Sequence, residues 1–167
     1  MSLERVIAKL FRMDDKTFRK HSNPWSGYTR LPLLIPLTLA LWSRAWIGWW
    51  AVVPVVTVLV WVWVNPRIFP EPKKSDAWVS KGVLGEWVWV NQGRIEIPKH
   101  HRRAPKILRT VAAVGIVPYV WGLVFLDPWP TALGVVLMYL GKLWFVDRMV
   151  WLYEDVKDKV QPLASEQ

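Results

Sequence analysis

Cysteine is absent from the 167-residue chain, so no disulfide, thiolate ligand or cysteine nucleophile is available and nothing indicates an oxidising compartment. Histidine is scarce: His21, His100 and His101 are the only copies, and none forms an HExxH or ExxH pair. A glycine-rich nucleotide loop, a Ser-His-Asp arrangement and a transporter-like broken repeat are missing too. The net charge of +9 suggests nucleic acid, but no helix-turn-helix, zinc-finger or RNA-recognition pattern accompanies it, so no nucleic-acid partner is expected. Residues 1–30 are charged throughout, unlike a secretory signal, and the N terminus is expected to be retained.

What the chain has in quantity is apolar sequence in long blocks, at 31–42, 45–64, 110–126 and 129–146. The second, "AWIGWWAVVPVVTVLVWVWV", carries no charge between Arg44 and Arg67. It meets the requirement of about 20 apolar residues to cross a ~30 Å hydrocarbon core at ~1.5 Å rise per residue. Only Asp127 and Pro128 separate the last two blocks, which implies a tight helical hairpin. The first block is short, and it spans if Arg30 and Arg44 extend their stems so that the charges reach headgroups; Pro32 and Pro36 also allow a re-entrant path. The fold class read from this pattern is all-α and integral to the membrane, a single domain over 1–167 with four transmembrane helices in two hairpins. The expected parts are an amphipathic helix at 3–20, a first hairpin at 29–43 and 46–64, a cytoplasmic loop at 65–106 with a helix near 76–91, and a second hairpin at 108–126 and 129–152.

Positive charge follows this topology. Lys and Arg crowd the segment before the first span, the stretch from Arg67 to Arg109 and the segment after Val146, whereas the two short turns hold only Arg44 and Asp127. The positive-inside rule therefore places the N terminus, central loop and C terminus on the cytoplasmic side of the inner membrane. Many of the 14 tryptophans fall near span ends, as an aromatic belt does, while Trp121 lies inside a span and is a candidate for stacking on a ligand. The stretch "LERVIAKLFRMDDKTF" sets an apolar stripe against Arg5, Lys9, Arg12 and Lys16, suited to anionic lipids of the inner leaflet. Ser75 or Asp76 can cap the helix near 76–91, in which Gly82 and Gly85 permit close approach of another backbone.

The topology puts all three histidines in one cytoplasmic layer with Glu86, Asp147, Glu154 and Asp155. A set drawn from His21, His100, His101, Glu86, Asp147 and Glu154 offers imidazole nitrogen and carboxylate oxygen, which suit zinc, manganese or non-haem iron. The spacing is not that of a metal motif, adjacent His100 and His101 are expected to point apart, and the cations flanking them oppose a further cation. Interfacial hydrogen bonding to headgroups or loop carbonyls is the favoured reading of the histidines, ahead of a metal site. No residue is assigned a catalytic role and no organic cofactor site is identified. Lys142 lies four residues inside Val146, where a bare ammonium costs about 2.5–3.5 kcal/mol at the bilayer centre. A structural ion pair with Glu86 is the expected remedy.

The segments "HSNPWSGYTR", "NPRIFPEP", "GVLGEWVW", "HHRRAPK" and "LGKLWFVDRMVWLYED", over about residues 20–155, resemble a family of small bacterial multi-pass membrane proteins classed as a domain of unknown function. The resemblance implies a membrane protein and no particular activity. In size, basicity and tryptophan content the chain is also similar to the tryptophan-rich sensory (translocator) proteins, which bind porphyrin and sterol-like ligands. It departs from them in having four clear spans rather than five and in its loops. The leading expectation is a non-catalytic accessory or scaffold subunit of the cytoplasmic membrane, with lipid, a membrane-protein partner or a second copy of itself as partners. Its alternatives are a small membrane-bound metal-dependent enzyme or redox protein, and a Trp-lined porphyrin or lipid-binding protein.

Overall fold

The computed structural model describes residues 20–72, 76–92 and 96–165, all helical or connecting, with no strand among them. The amphipathic helix expected at 3–20 thus lies outside the described residues except for Lys20. Helix α1 (Pro24–Arg30) starts where the Asn23 side chain accepts from the Trp25 N–H at 3.0 Å, with Pro24 at the first position, where a missing N–H costs nothing. A 3₁₀ turn (Leu31–Leu33) carries the chain into α2 (Leu34–Trp42) and then α3 (Arg44–Ile47). Gly48, at φ 55°, reverses direction there, a conformation that L side chains resist. Helix α4 (Val52–Ile68) ends as Phe69 turns extended before Pro70.

Helix α5 (Trp78–Val90) has Ala77 at its N-cap and no side-chain cap bond, so Asp76 does not serve as the cap; Ser75 lies outside the described residues. A short 3₁₀ helix (Lys99–His101) leads into α6 (Ala104–Phe125), which closes on Leu126 in the left-handed region. Asp127 accepts from the Trp129 N–H at 3.1 Å and so starts α7 (Pro128–Ser165).

Three helical segments are long and apolar enough to cross a membrane: Pro24–Ile68, Lys99–Phe125 and Pro128–Asp158. The first has 45 residues, which as a straight rod would reach ~68 Å, about twice a hydrocarbon core. It folds back instead. Buried Ser26 donates to Asn65 Oδ1 at 2.7 Å, Asn65 Nδ2 donates to Thr29 Oγ1 at 2.8 Å, and Asn23 Nδ2 donates to the Pro70 carbonyl at 2.9 Å. These bonds fasten the start of α1 beside the end of α4, with the reversal at Gly48 far from both. At the other end Arg44 donates to the carbonyls of Leu123 and Val124, filling acceptors that the last turn of α6 leaves open. Thr38 and Tyr119 share a hydrogen bond of 3.0 Å between α2 and α6.

Helices α6 and α7 close on a seam of small residues. A Cβ on Gly134 would lie 2.5 Å from the Tyr119 nitrogen, and one on Gly141 would lie 2.6 Å from the Leu108 carbonyl oxygen. Close backbone approach is how helices gain packing in lipid, where apolar side chains have no water to escape. Helix α5 meets α7 the same way, Gly85 lying against the Met149 backbone and Gly82 against Val146. The buried core, including Val88, Trp89, Phe145, Met149, Leu152 and Val156, sits at this α5–α7 contact. By contrast only 6% of the most apolar stretch of Pro24–Ile68 is buried, which is the arrangement expected of helices solvated by lipid.

Candidate functional site

The 3₁₀ helix at Lys99–His101 turns two consecutive histidines toward one point. Nε2 of His101 lies 2.8 Å and Nε2 of His100 3.1 Å from the same Oδ2 of Asp155, and the two rings are 4.2 Å apart at their centroids. Neighbouring side chains diverge on a regular helix or strand, which is why these two are expected from the sequence to point apart; both Nε2 atoms nonetheless reach one Asp155 oxygen, with the rings tilted by 44° to each other. His101 is buried, whereas His100 and Asp155 are exposed. All three ligand atoms lie within 4.8 Å of one another. Tetrahedral coordination at zinc–nitrogen distances of 2.0–2.1 Å sets ligand atoms ~3.3 Å apart, and the two nitrogen–oxygen separations of 2.8 and 3.1 Å fall short of that by a few tenths of an ångström.

The other residues expected near a metal stand elsewhere. Glu154 is bound by Lys81 and, at 2.8 Å, by Lys157. Asp147 accepts from the Trp78 indole at 3.4 Å and lies 3.9 Å from Arg148. His21 and Glu86 line a separate cavity of about 130 Å³, together with Arg30 and Lys142. In it, Lys142 Nζ is 4.0 Å from Glu86 Oε2, and Arg30 holds the His21 ring through an Nη1–nitrogen contact of 2.6 Å.

Enclosure and the neighbouring Arg30 and Lys142 charges hold the His21 imidazole well below its ordinary pKa of 6.5. A guanidinium can donate to the ring only where a nitrogen lone pair is free, so the neutral form fits this geometry. The unfolded chain takes up this proton as pH falls below 6.5 while the folded chain does not, so stability is full above 6.5 and declines below it. The expected decline is up to about 1.4 kcal/mol per pH unit. Thermal melts between pH 7.5 and 5 check it, and a His21→Gln variant is expected to show a flatter profile.

Asp155 and Arg30 stand outside the ligand set expected from the sequence, although Asp155 is placed there in the same layer as the histidines. Asp155 read as a marker of where the last span leaves the membrane, and its histidine partners lie 54 and 55 residues away. Arg30 read as a flanking cation, and only the return of the chain beside α5 and α7 sets it in a cavity. Trp121, the candidate stacking residue, is exposed and packs on Phe125 with centroids 4.5 Å apart. The cavity of about 580 Å³ beside Gly48 and Trp49 has an almost wholly apolar lining.

These features define an all-helical protein with three segments long and apolar enough to cross a membrane, and with polar clusters gathered where its helices meet. The chain belongs to a family of unknown function, DUF6653, whose model matches residues 2–166. No curated protein and no solved structure matches it.

Proposed function

We propose that the chain is a four-span protein of the cytoplasmic membrane that holds a divalent transition-metal ion between His100, His101 and Asp155 at its cytoplasmic end. The convergence of two Nε2 atoms on one carboxylate oxygen carries this reading, since two imidazoles and a carboxylate are the donor set used by zinc and non-haem iron. Three protein ligands leave coordination positions open, and this favours metal-assisted or redox chemistry on a lipophilic substrate over a purely accessory role.

Four spans are supported by the return of Pro24–Ile68 upon itself and by the grip of Arg44 on the end of α6, which brings both hairpin turns to one end. Exposed Trp46, Trp49, Trp50 and Trp129 cluster around those turns, as an outer aromatic belt would. The cation-rich opposite end is then cytoplasmic. A tag between Asp127 and Thr131 is expected to be accessible from outside intact cells while tags at both termini are protected; the reverse pattern sinks this orientation.

Protein purified in detergent without a histidine tag tests the metal centre. About one zinc, iron or manganese ion per chain is expected, and a His100→Ala/His101→Ala double variant that still melts cooperatively is expected to hold none. Equal metal content in the two proteins rejects the site.

A further inference from the structure

We propose that the cavity between α1, α5 and α7 is a binding site for a phosphate group, presented by the headgroup of an anionic membrane lipid. Four chemistry-bearing side chains reach it from four separate parts of the chain: His21 before α1, Arg30 at the end of α1, Glu86 on α5 and Lys142 on α7. Ionisable groups along apolar segments are costly, and when several converge they mark a site more often than a packing accident.

The charges do not cancel. Arg30 and Lys142 carry two positive charges against one on Glu86, and His21 held neutral adds none. Among the described lining residues one cation is in excess, with the Lys142 side chain 55% exposed, and an anion is the ligand that compensates it. The donors are directed but not used up. Arg30 gives its Nε–H to the Ser26 carbonyl at 2.9 Å and its Nη groups to His21 at 2.6 and 3.5 Å, which leaves two of its five N–H groups. Lys142 stands 4.0 Å from Glu86, beyond hydrogen-bond length, so its ammonium retains donors for an oxygen in the cavity.

Size and depth agree. A volume of about 130 Å³ corresponds to roughly four water molecules at ~30 Å³ each, enough for a phosphate group and too small for a sugar or base. Arg30 immediately precedes the first apolar block, and Lys142 sits four residues inside Val146 on a side chain long enough to reach the headgroup layer. Lys142 and Asp155 are about 20 Å apart along α7 at ~1.5 Å per residue, so this site is separate from the proposed metal centre and does not depend on it.

The test is a titration of detergent-purified protein with short-chain phosphatidylglycerol, phosphatidylcholine or inorganic phosphate, read by native mass spectrometry and by the thermal midpoint. Phosphatidylglycerol is expected to bind one per chain and raise the midpoint. Lys142→Met, which keeps the aliphatic stem, is expected to lower that affinity at least about tenfold, the worth of one charge-assisted hydrogen bond. Arg30→Lys, which retains the charge but loses the fork, is expected to weaken it similarly. Inorganic phosphate matching the lipid in affinity and midpoint shift would overturn the lipid source while keeping the phosphate site. Unchanged phosphatidylglycerol affinity in a cooperatively melting Lys142→Met variant would overturn the site itself, as would equal affinity for phosphatidylcholine.

Discussion

The Gly85→Val variant is expected to unfold about 3 kcal/mol more readily than the native chain, at the upper end of the usual cost of overpacking. A Cβ at this position would fall on the Met149 carbonyl, and backbone cannot swing aside as a flexible side-chain tip can. The contact joins α5 to α7 at the core that includes Val88, Met149 and Leu152, all essentially inaccessible, so relieving it means moving a whole helix. That displacement would also carry Lys81 away from Glu154 and Glu86 away from Lys142. A thermal or denaturant melt in detergent measures the effect. Gly48→Ala is the comparison, because nothing lies within 4 Å of a Cβ there and only the backbone at φ 55° opposes it, at about 1–3 kcal/mol. A Gly85→Val variant that melts like the native chain would show that α5 does not seat on α7 as described.

Asp155→Ala is expected to weaken metal binding at least about 100-fold, more than the loss of a supporting residue costs a metal site. It removes the acidic oxygen on which, among the described residues, His100 and His101 converge and leaves two imidazoles among the cations of "KHHRRAPK". His101→Ala is expected to do the same and to cost stability besides, since His101 is buried. Glu154→Gln is the informative comparison. Glu154 is adjacent in sequence but engaged by Lys81 and Lys157, so its loss is expected to leave metal content unchanged. Metal analysis after equilibrium dialysis reads all three, and a loss in Glu154→Gln equal to that in Asp155→Ala would return the wider carboxylate set to consideration.

The long apolar blocks were legible because a lipid-facing helix declares itself by composition alone: 20 residues without charge need no knowledge of partners. The separation of Gly82 and Gly85 likewise marked α5 as a helix that something approaches closely. The candidate sites were legible only in part. His100 and His101 stood out as rare residues, yet the oxygen they share belongs to a helix more than 50 residues on, and no local pattern announces that both rings reach it. His21 and Glu86 were singled out for metal on chemistry alone, although the helices bring them beside Arg30 and Lys142, where the cations dominate.

By itself the sequence determined which segments are apolar enough to cross a membrane. Hydropathy and charge are sums over neighbouring residues, so apolar blocks and cation-rich flanks are read without reference to the fold. Only the tertiary structure decided which polar groups meet: that Ser26 and Asn65 clasp the first hairpin, that Arg44 fastens it to α6, and that Asp155 rather than Glu154 faces the histidines. Those pairings follow from helix rotation and crossing. A turn of about 100° per residue sends adjacent carboxylates such as Glu154 and Asp155 to different partners, a choice that only packing against α5 and the Lys99–His101 turn can make.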